Sequence, residues 1–184
     1  DKNNILNKNI EYYEVRNCIA EIANDKACGP DEIHNLMIIR GGKTLWKQIH
    51  NLFNDALNKG IFPKIYNFAD IYPIPKIGKD LSNPKNYRPI AVSSCLGRIF
   101  EKILAKRLQQ YAVENKLFKN LQCGFQINRC TDDILTDFIN DIYSTFDKLG
   151  AMDVIFTDFS KAYDSIWHNV LIHKLRKNNI NGKF

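Results

Sequence analysis

Two carboxylates and a group of basic residues are the side chains in this sequence whose types and spacing suggest chemistry. In "FTDFSKAYDSI", residues 156–166, an apolar run ends in Asp158, and Tyr163 and Asp164 follow five and six residues later. An aspartate at the end of a buried strand is held rigidly at a sheet rim, where its carboxylate can take a hard cation such as Mg2+. The same aspartate can instead cap the helix that follows. Phe159 can offer a backbone carbonyl to such an ion. The backbone N–H groups of Phe159, Ser160, Lys161 and Ala162 can face a phosphate. Tyr163 would then lie beneath the sugar that follows the phosphates; core packing is its plainer use. Asp164 is read as a structural or capping residue. Upstream, "PIPKIGKD" and "NYRPI" supply Lys76, Lys79 and Arg88. A solvated basic loop is the usual reading of such charges. On adjacent strands of one hairpin, however, a Lys and an Arg can grip a polyphosphate, because guanidinium binds phosphate oxygens in a bidentate way.

Other constellations fail. "RGGKT" (40–44) resembles a phosphate-binding P-loop, but its first glycine would fall at Met37 and no strand precedes it. No Ser/His/Asp or Cys/His order suggests nucleophilic catalysis. The five cysteines are odd in number and lack Cys-x-x-Cys spacing, so they read as free thiols in a reducing compartment. A zinc site from Cys123, Cys130 and histidines is set aside, because His168 and His173, five apart, split around a helix.

The elements that must position these groups follow from periodicity. Residues 10–24 predict a helix with Tyr12, Val15, Ile19 and Ile22 on one stripe, and 44–58 a second amphipathic one using Leu45, Ile49, Leu52, Phe53 and Ala56, capped by Gly60. Phe68–Ile74 and Tyr87–Val92 read as two strands joined by a basic loop that turns at Gly78. Pro73 and Pro75 suit an edge strand. Residues 95–112 form the clearest helix, with Leu96, Ile99, Phe100, Ile103, Leu104, Leu108 and Tyr111 on one face. Thr131 is expected to cap a helix to about Leu149, ended by Gly150, with Ile134, Leu135, Phe138 and Ile142 inward. "AMDVIFTDF" is expected as a buried strand carrying Asp158, and residues 165–176 as a last helix. The order is α+β, without regular βαβ alternation.

Apolar residues at 45% allow a core, and a net charge of +6 with a pI near 9.0 favours an acidic partner, nucleic acid first. No run is long enough to span a membrane, and the polar N-terminus resembles neither a signal nor a transit peptide. The missing initiator Met suggests a piece of a longer product. With no glycosylation sequon, an intracellular site is expected.

"ACGPDEI", "IYPIPKIGKD", "NYRPIAVSSCLGRIFEKILAKRL", "QCGFQINRCTDD" and "VIFTDFSKAYDSIWHNVLIHKL" occur in this order across nearly the whole chain. Together they resemble the N-terminal part of the reverse transcriptases of non-LTR (LINE-type) retrotransposons. The resemblance implies a right-hand polymerase fragment: residues 1–66 a helical N-terminal extension of the fingers, 67–150 the fingers with the start of the palm, and 151–184 the palm segment with the first catalytic aspartate. It implies RNA-directed DNA synthesis from an RNA template and deoxynucleoside triphosphates on a DNA primer, in cytoplasm and nucleus. Asp158 would be the catalytic aspartate binding both of two Mg2+ (or Mn2+) ions, and Phe159 would lend its carbonyl. Lys76 and Arg88 would clamp the triphosphate, with Ser160, Lys161 and Ala162 beside it, and Tyr163 would be the gate against a ribose 2′-OH. That bulky gate disfavours an RNA-templated RNA polymerase. Arg98 and Arg129 could contact a template backbone, although each is as well explained as ordinary surface.

The family's Tyr-x-Asp-Asp hairpin follows this point of the pattern, so residues 1–184 alone are expected not to polymerise. Glu32, Gln126 and Cys130 depart from the family pattern, which would suit a decaying copy or simple divergence. A non-catalytic nucleic-acid-binding relic is the alternative reading.

Overall fold

The computed structural model describes residues 5–119, 121–159 and 162–183. Its elements are a 3-10 turn Ile5–Asn7, α1 Tyr12–Ala20, α2 Asn35–Arg40, α3 Gly42–Lys59, a 3-10 turn Lys64–Asn67, β1 Ala69–Pro75, a 3-10 turn Pro84–Asn86, β2 Tyr87–Ser93, α4 Cys95–Glu114, α5 Thr131–Asp147 and α6 His168–Lys177. Helices thus accompany one small sheet. The chain divides into two units, Asp1–Leu108 with Asn181–Phe184, and Gln109–Ile180.

The first unit holds the core. Val15 and Ile19 of α1, Ile49 and Phe53 of α3, and Ile99 and Ile103 of α4 are all buried. The expected stripes of α1 and α4 therefore face inward, as the 3.6-residue period requires, whereas on α3 Ile49, Phe53 and Ala56 are buried and Leu45 and Leu52 stay exposed. Phe53 and Phe62 both stack on Phe100, with centroids 4.9 and 5.8 Å apart. Helix α3 ends where Gly60 takes φ +61°, and Ile61 N–H returns to the Ala56 carbonyl at 3.0 Å. The short α2 leaves little periodic signal in the sequence. It is held from outside, by Trp46 Nε1–H on the Ile38 carbonyl at 2.8 Å and Asn35 Nδ2–H on the Ala23 carbonyl at 2.6 Å.

A charged residue completes this core. Arg107 continues the buried stripe of α4 at the turn after Ile103 and is buried itself. Its Nε and Nη2 donate to Glu14 Oε1 and Oε2 at 2.8 and 2.6 Å. Nη1 donates to the Ile5 and Lys8 carbonyls at 3.2 and 2.5 Å, and Nη2 also to Asn9 at 2.8 Å. The guanidinium thereby satisfies three carbonyls of the segment ahead of α1 as well as one carboxylate.

β1 and β2 pair antiparallel, with Ala69 opposite Ser93 and Pro75 opposite Tyr87. Pro73 faces Pro89 in that register, and a two-stranded ribbon with two edges accommodates both prolines. "ACGPDEI" packs on the end of β2: a Cβ at Gly29 would lie 2.5 Å from the Ser93 carbonyl carbon and 2.6 Å from Ser94 N. Ser94 then caps α4, its buried Oγ accepting from Gly97 N–H at 3.3 Å.

The second unit corrects five expectations. Residues 151–159 form no strand and lie exposed, with Ile155, Phe156 and Phe159 more than four-fifths accessible. A strand needs a neighbour for its backbone groups, and the only sheet among the described residues is the β1–β2 ribbon. Ile134 and Leu135 are exposed and Phe138 and Ile142 only half-buried, because among the described residues that face of α5 is covered only in part. Cys130 rather than Thr131 is the N-cap of α5, and the Asp133 carboxylate accepts the Cys130 N–H at 2.8 Å. At the far end Leu149, not Gly150, takes the left-handed conformation, φ +54°, while Gly150 N–H bonds the Thr145 carbonyl at 3.0 Å. Helix α6 starts at His168, later than expected, behind a turn at 162–165.

Candidate functional site

The hairpin gives its basic residues a defined side. Arg88 pairs with Ile74, and Lys76 N–H bonds the Asn86 carbonyl at 2.8 Å, extending the register one pair further. Residues two apart on a strand share a face, so Lys76 and Arg88 stand on the same face at diagonal positions, roughly 7–8 Å apart. Tyr72 and Ile90, an opposed pair, continue that face and are half exposed.

The loop between the strands is built from its own polar residues. Asp80 accepts Ser82 N–H at 3.0 Å and Ser82 Oγ–H at 2.5 Å. The Ser82 hydroxyl, then its N–H, holds the Asp80 carboxyl below its ordinary value. Asn86 Nδ2–H bonds the Asp80 carbonyl at 2.7 Å, Tyr87 O–H the Leu81 carbonyl at 3.0 Å, and Asn83 caps the turn through Lys85 N–H at 3.0 Å. Gly78 takes φ +72°, which the turn requires. Lys76 Nζ donates to the Lys85 carbonyl at 2.8 Å, a neutral partner that leaves its charge uncompensated. Among the described residues no carboxylate pairs with Lys76, Lys79, Lys85 or Arg88; the ion pairs are those of Glu21 with Lys102 and Lys106, and of Glu14 with Arg107. The loop is thus an ordered, exposed, positively charged tip. Lys85 belongs to it and was missed in the sequence, although its place inside the basic loop was the available signal.

Asp158 and Phe159 lie exposed at the end of the irregular segment 151–159. Ser160 and Lys161 lie outside the described residues. Ala162 opens a turn closed by Ser165 Oγ–H on its carbonyl at 3.1 Å; Tyr163 is exposed in that turn. Asp164 does not cap α6, whose N-cap is Trp167. One ring contact holds this region, Phe138 edge-on to Phe156 at 6.2 Å. No group of three His, Cys, Asp or Glu side chains converges as a metal site among the described residues. Asp158, Phe159, Ala162 and Tyr163 belong to the second unit, and Lys76 and Arg88 to the first.

Arg98 is already engaged: Nη2 donates to the Ala27 carbonyl and to Cys95 Sγ, both at 3.0 Å. It ties the "ACGPDEI" segment to α4. Arg129 is exposed beside a cavity of about 290 Å3 that Cys123, Phe125 and Cys130 also border. All five cysteines are free thiols. No helix among the described residues is long and apolar enough to cross a membrane.

Comparison with known proteins gives these positions a context. The chain is 28% identical over 170 residues to the probable RNA-directed DNA polymerase from transposon BS of Drosophila melanogaster, covering 92% of this chain and 19% of that protein. It is 29% identical over 164 residues to the RNA-directed DNA polymerase from mobile element jockey of the same species, covering 89% and 18%. Over 106 residues it is 35% identical to the Retrovirus-related Pol polyprotein from type-1 retrotransposable element R2 of Popillia japonica, covering 56% and 14%. The chain spans about a fifth of the length of the first two relatives. Residues 74–183, more than half of the chain, match the family model of the reverse transcriptase (RNA-dependent DNA polymerase) and include the hairpin tip, Asp158 and Tyr163. The chain therefore belongs to the reverse transcriptase family.

Proposed function

We propose that this chain is part of an RNA-directed DNA polymerase of a non-LTR retrotransposon and carries its fingers and the first part of its palm. Residues 1–66 are then the helical extension, 67–150 the fingers with the start of the palm, and 151–184 the palm segment with the first catalytic aspartate. The observation that carries the reading is the hairpin: two cations, Lys76 and Arg88, share one face, lack carboxylate partners among the described residues, and fall inside the family match. Such a face suits the triphosphate of a deoxynucleotide, with Arg88 binding two oxygens in its planar fork and Lys76 acting as a point charge.

In this reading Asp158 is the catalytic carboxylate and Phe159 contributes its carbonyl. Ser160, Lys161 and Ala162 turn N–H groups toward the phosphates. Tyr163 stands against the sugar and leaves no room for a 2′-OH. Mg2+ or Mn2+ would supply the charge neutralisation of phosphoryl transfer. One exposed carboxylate and one carbonyl do not amount to a two-ion site, so the described residues do not hold the metals by themselves. What this chain's own residues would do is bind and orient the triphosphate and select the sugar. Arg129, exposed, remains open to a template strand, whereas the engagement of Arg98 favours a structural use for it.

The test is primer extension on an RNA template by a polymerase carrying this segment. Asp158→Ala is expected to abolish DNA synthesis while RNA binding at fixed salt persists. Undiminished synthesis by that variant would remove Asp158 from the chemistry.

A further inference from the structure

A second fastening joins the N-terminal turn to residues 181–183. Asn7, in the 3-10 turn Ile5–Asn7, donates Nδ2–H to the Asn181 carbonyl at 3.0 Å. Its Oδ1 accepts the Lys183 N–H at 2.7 Å. One side-chain amide therefore pairs with the backbone as a neighbouring strand would, across 174 residues of sequence. Lys183 Nζ also donates to Asn58 Oδ1 on α3 at 2.7 Å. Between the two paired residues Gly182 takes φ +95°, and a Cβ there would lie 2.6 Å from Asn7 Oδ1. Glycine is thus needed at 182 both for its dihedral and for room. Gly182 and Lys183 border an apolar cavity of about 260 Å3, walled by Leu57, Ile61, Phe62, Phe100 and Leu104.

We propose that Asn7, Asn58 and Gly182 form a latch that holds residues 181–183 closed beside this cavity and opens locally while the helical core stays folded. The contacts are exposed hydrogen bonds with little apolar burial, which places the latch at the low end of local stability. The Arg107 clamp on the same N-terminal segment is buried and stays shut. Opening frees residues 181–183 and exposes the apolar wall that Gly182 and Lys183 border. The inference rests on contacts within one unit and not on the polymerase reading, so either can fail without the other.

Amide hydrogen exchange on the full chain tests it. The Lys183 amide is expected to be protected and to open without dependence on low denaturant, while the core amides of Phe53 and Ile103 open only with global unfolding. Asn7→Ala should speed Lys183 exchange about tenfold or more without moving the core amides. Asn7→Asp keeps the acceptor for Lys183 but sets an oxygen against the Asn181 carbonyl, so its protection should fall between those of the parent and Asn7→Ala. Gly182→Ala should behave like Asn7→Ala. An unprotected Lys183 amide in the parent chain, or one that exchanges in step with the core, would overturn the latch. So would Asn7→Ala and Gly182→Ala that both leave it unchanged.

Discussion

Replacing Arg107 with Met is expected to cost about 3–5 kcal/mol, the range for breaking one side of a buried ion pair. The side chains of Arg107 and Glu14 are 5% and 17% exposed, so water cannot substitute for the missing guanidinium. Five donations are lost, to both Glu14 oxygens and to the carbonyls of Ile5, Lys8 and Asn9. Against a stability of about 5–15 kcal/mol for a domain, the loss is large. Glu14→Gln keeps one acceptor oxygen and the three carbonyls, so about 1–3 kcal/mol is expected. Arg107→Met with Glu14→Leu removes both charges and should recover part of the single-variant loss. Lys106→Met, which breaks an exposed pair with Glu21, is the control and should cost no more than about 1 kcal/mol.

The same pair sets a pH dependence. Burial alone would raise the Glu14 carboxyl, but the Arg107 hydrogen bonds, the Glu11 backbone N–H and nearby positive charge outweigh it and hold it below its ordinary value. A depressed folded value means the stabilisation is present above the unfolded carboxylate value and is lost as pH falls through the folded one. Urea unfolding of the four variants at neutral and acid pH is the assay. A cost for Arg107→Met no larger than that of Lys106→Met, or an acid sensitivity unaltered by Glu14→Gln, would refute this account of the clamp.

Three further outcomes follow from the packing and the hairpin. Gly29→Ala drives a Cβ into the Ser93–Ser94 backbone and should destabilise by about 1–3 kcal/mol in urea titration. Ser94→Ala removes the α4 cap and should cost about 1 kcal/mol, with Ser94→Asp restoring part of it. Lys76→Ala and Arg88→Ala should each leave stability within about 0.5 kcal/mol, because both residues lie at the exposed hairpin. In a polymerase carrying this segment both should raise the KM for deoxynucleotides, and an unchanged KM would take the hairpin out of triphosphate binding.

Much of the fold was legible because its elements close their hydrogen bonds near home. Helices α1, α3 and α4 pair residues four apart, and the β1–β2 ribbon pairs neighbours across one loop. Apolar period, Gly60 and the prolines were enough to draw them. The same locality made Lys76 and Arg88 readable as residues of one hairpin, and the register then put them on one face.

What the pattern could not carry were pairings between distant residues. Arg107 lies one turn beyond Ile103 beside the apolar stripe of α4, but only the fold chose Glu14 and the carbonyls of Ile5, Lys8 and Asn9 as its partners. Asn7 with Asn181 and Lys183 is the same case at greater separation. The segment ending in Asp158 shows the limit from the other side. Its residue types specify a buried strand, but a strand exists only when another lends it donors and acceptors, and the described residues supply none. The sequence by itself determined which residue types are available for chemistry and which short elements form, since both depend on residue type and near neighbours. The tertiary structure alone decided which of them are buried, paired or left exposed, since burial and pairing depend on what the rest of the chain brings alongside.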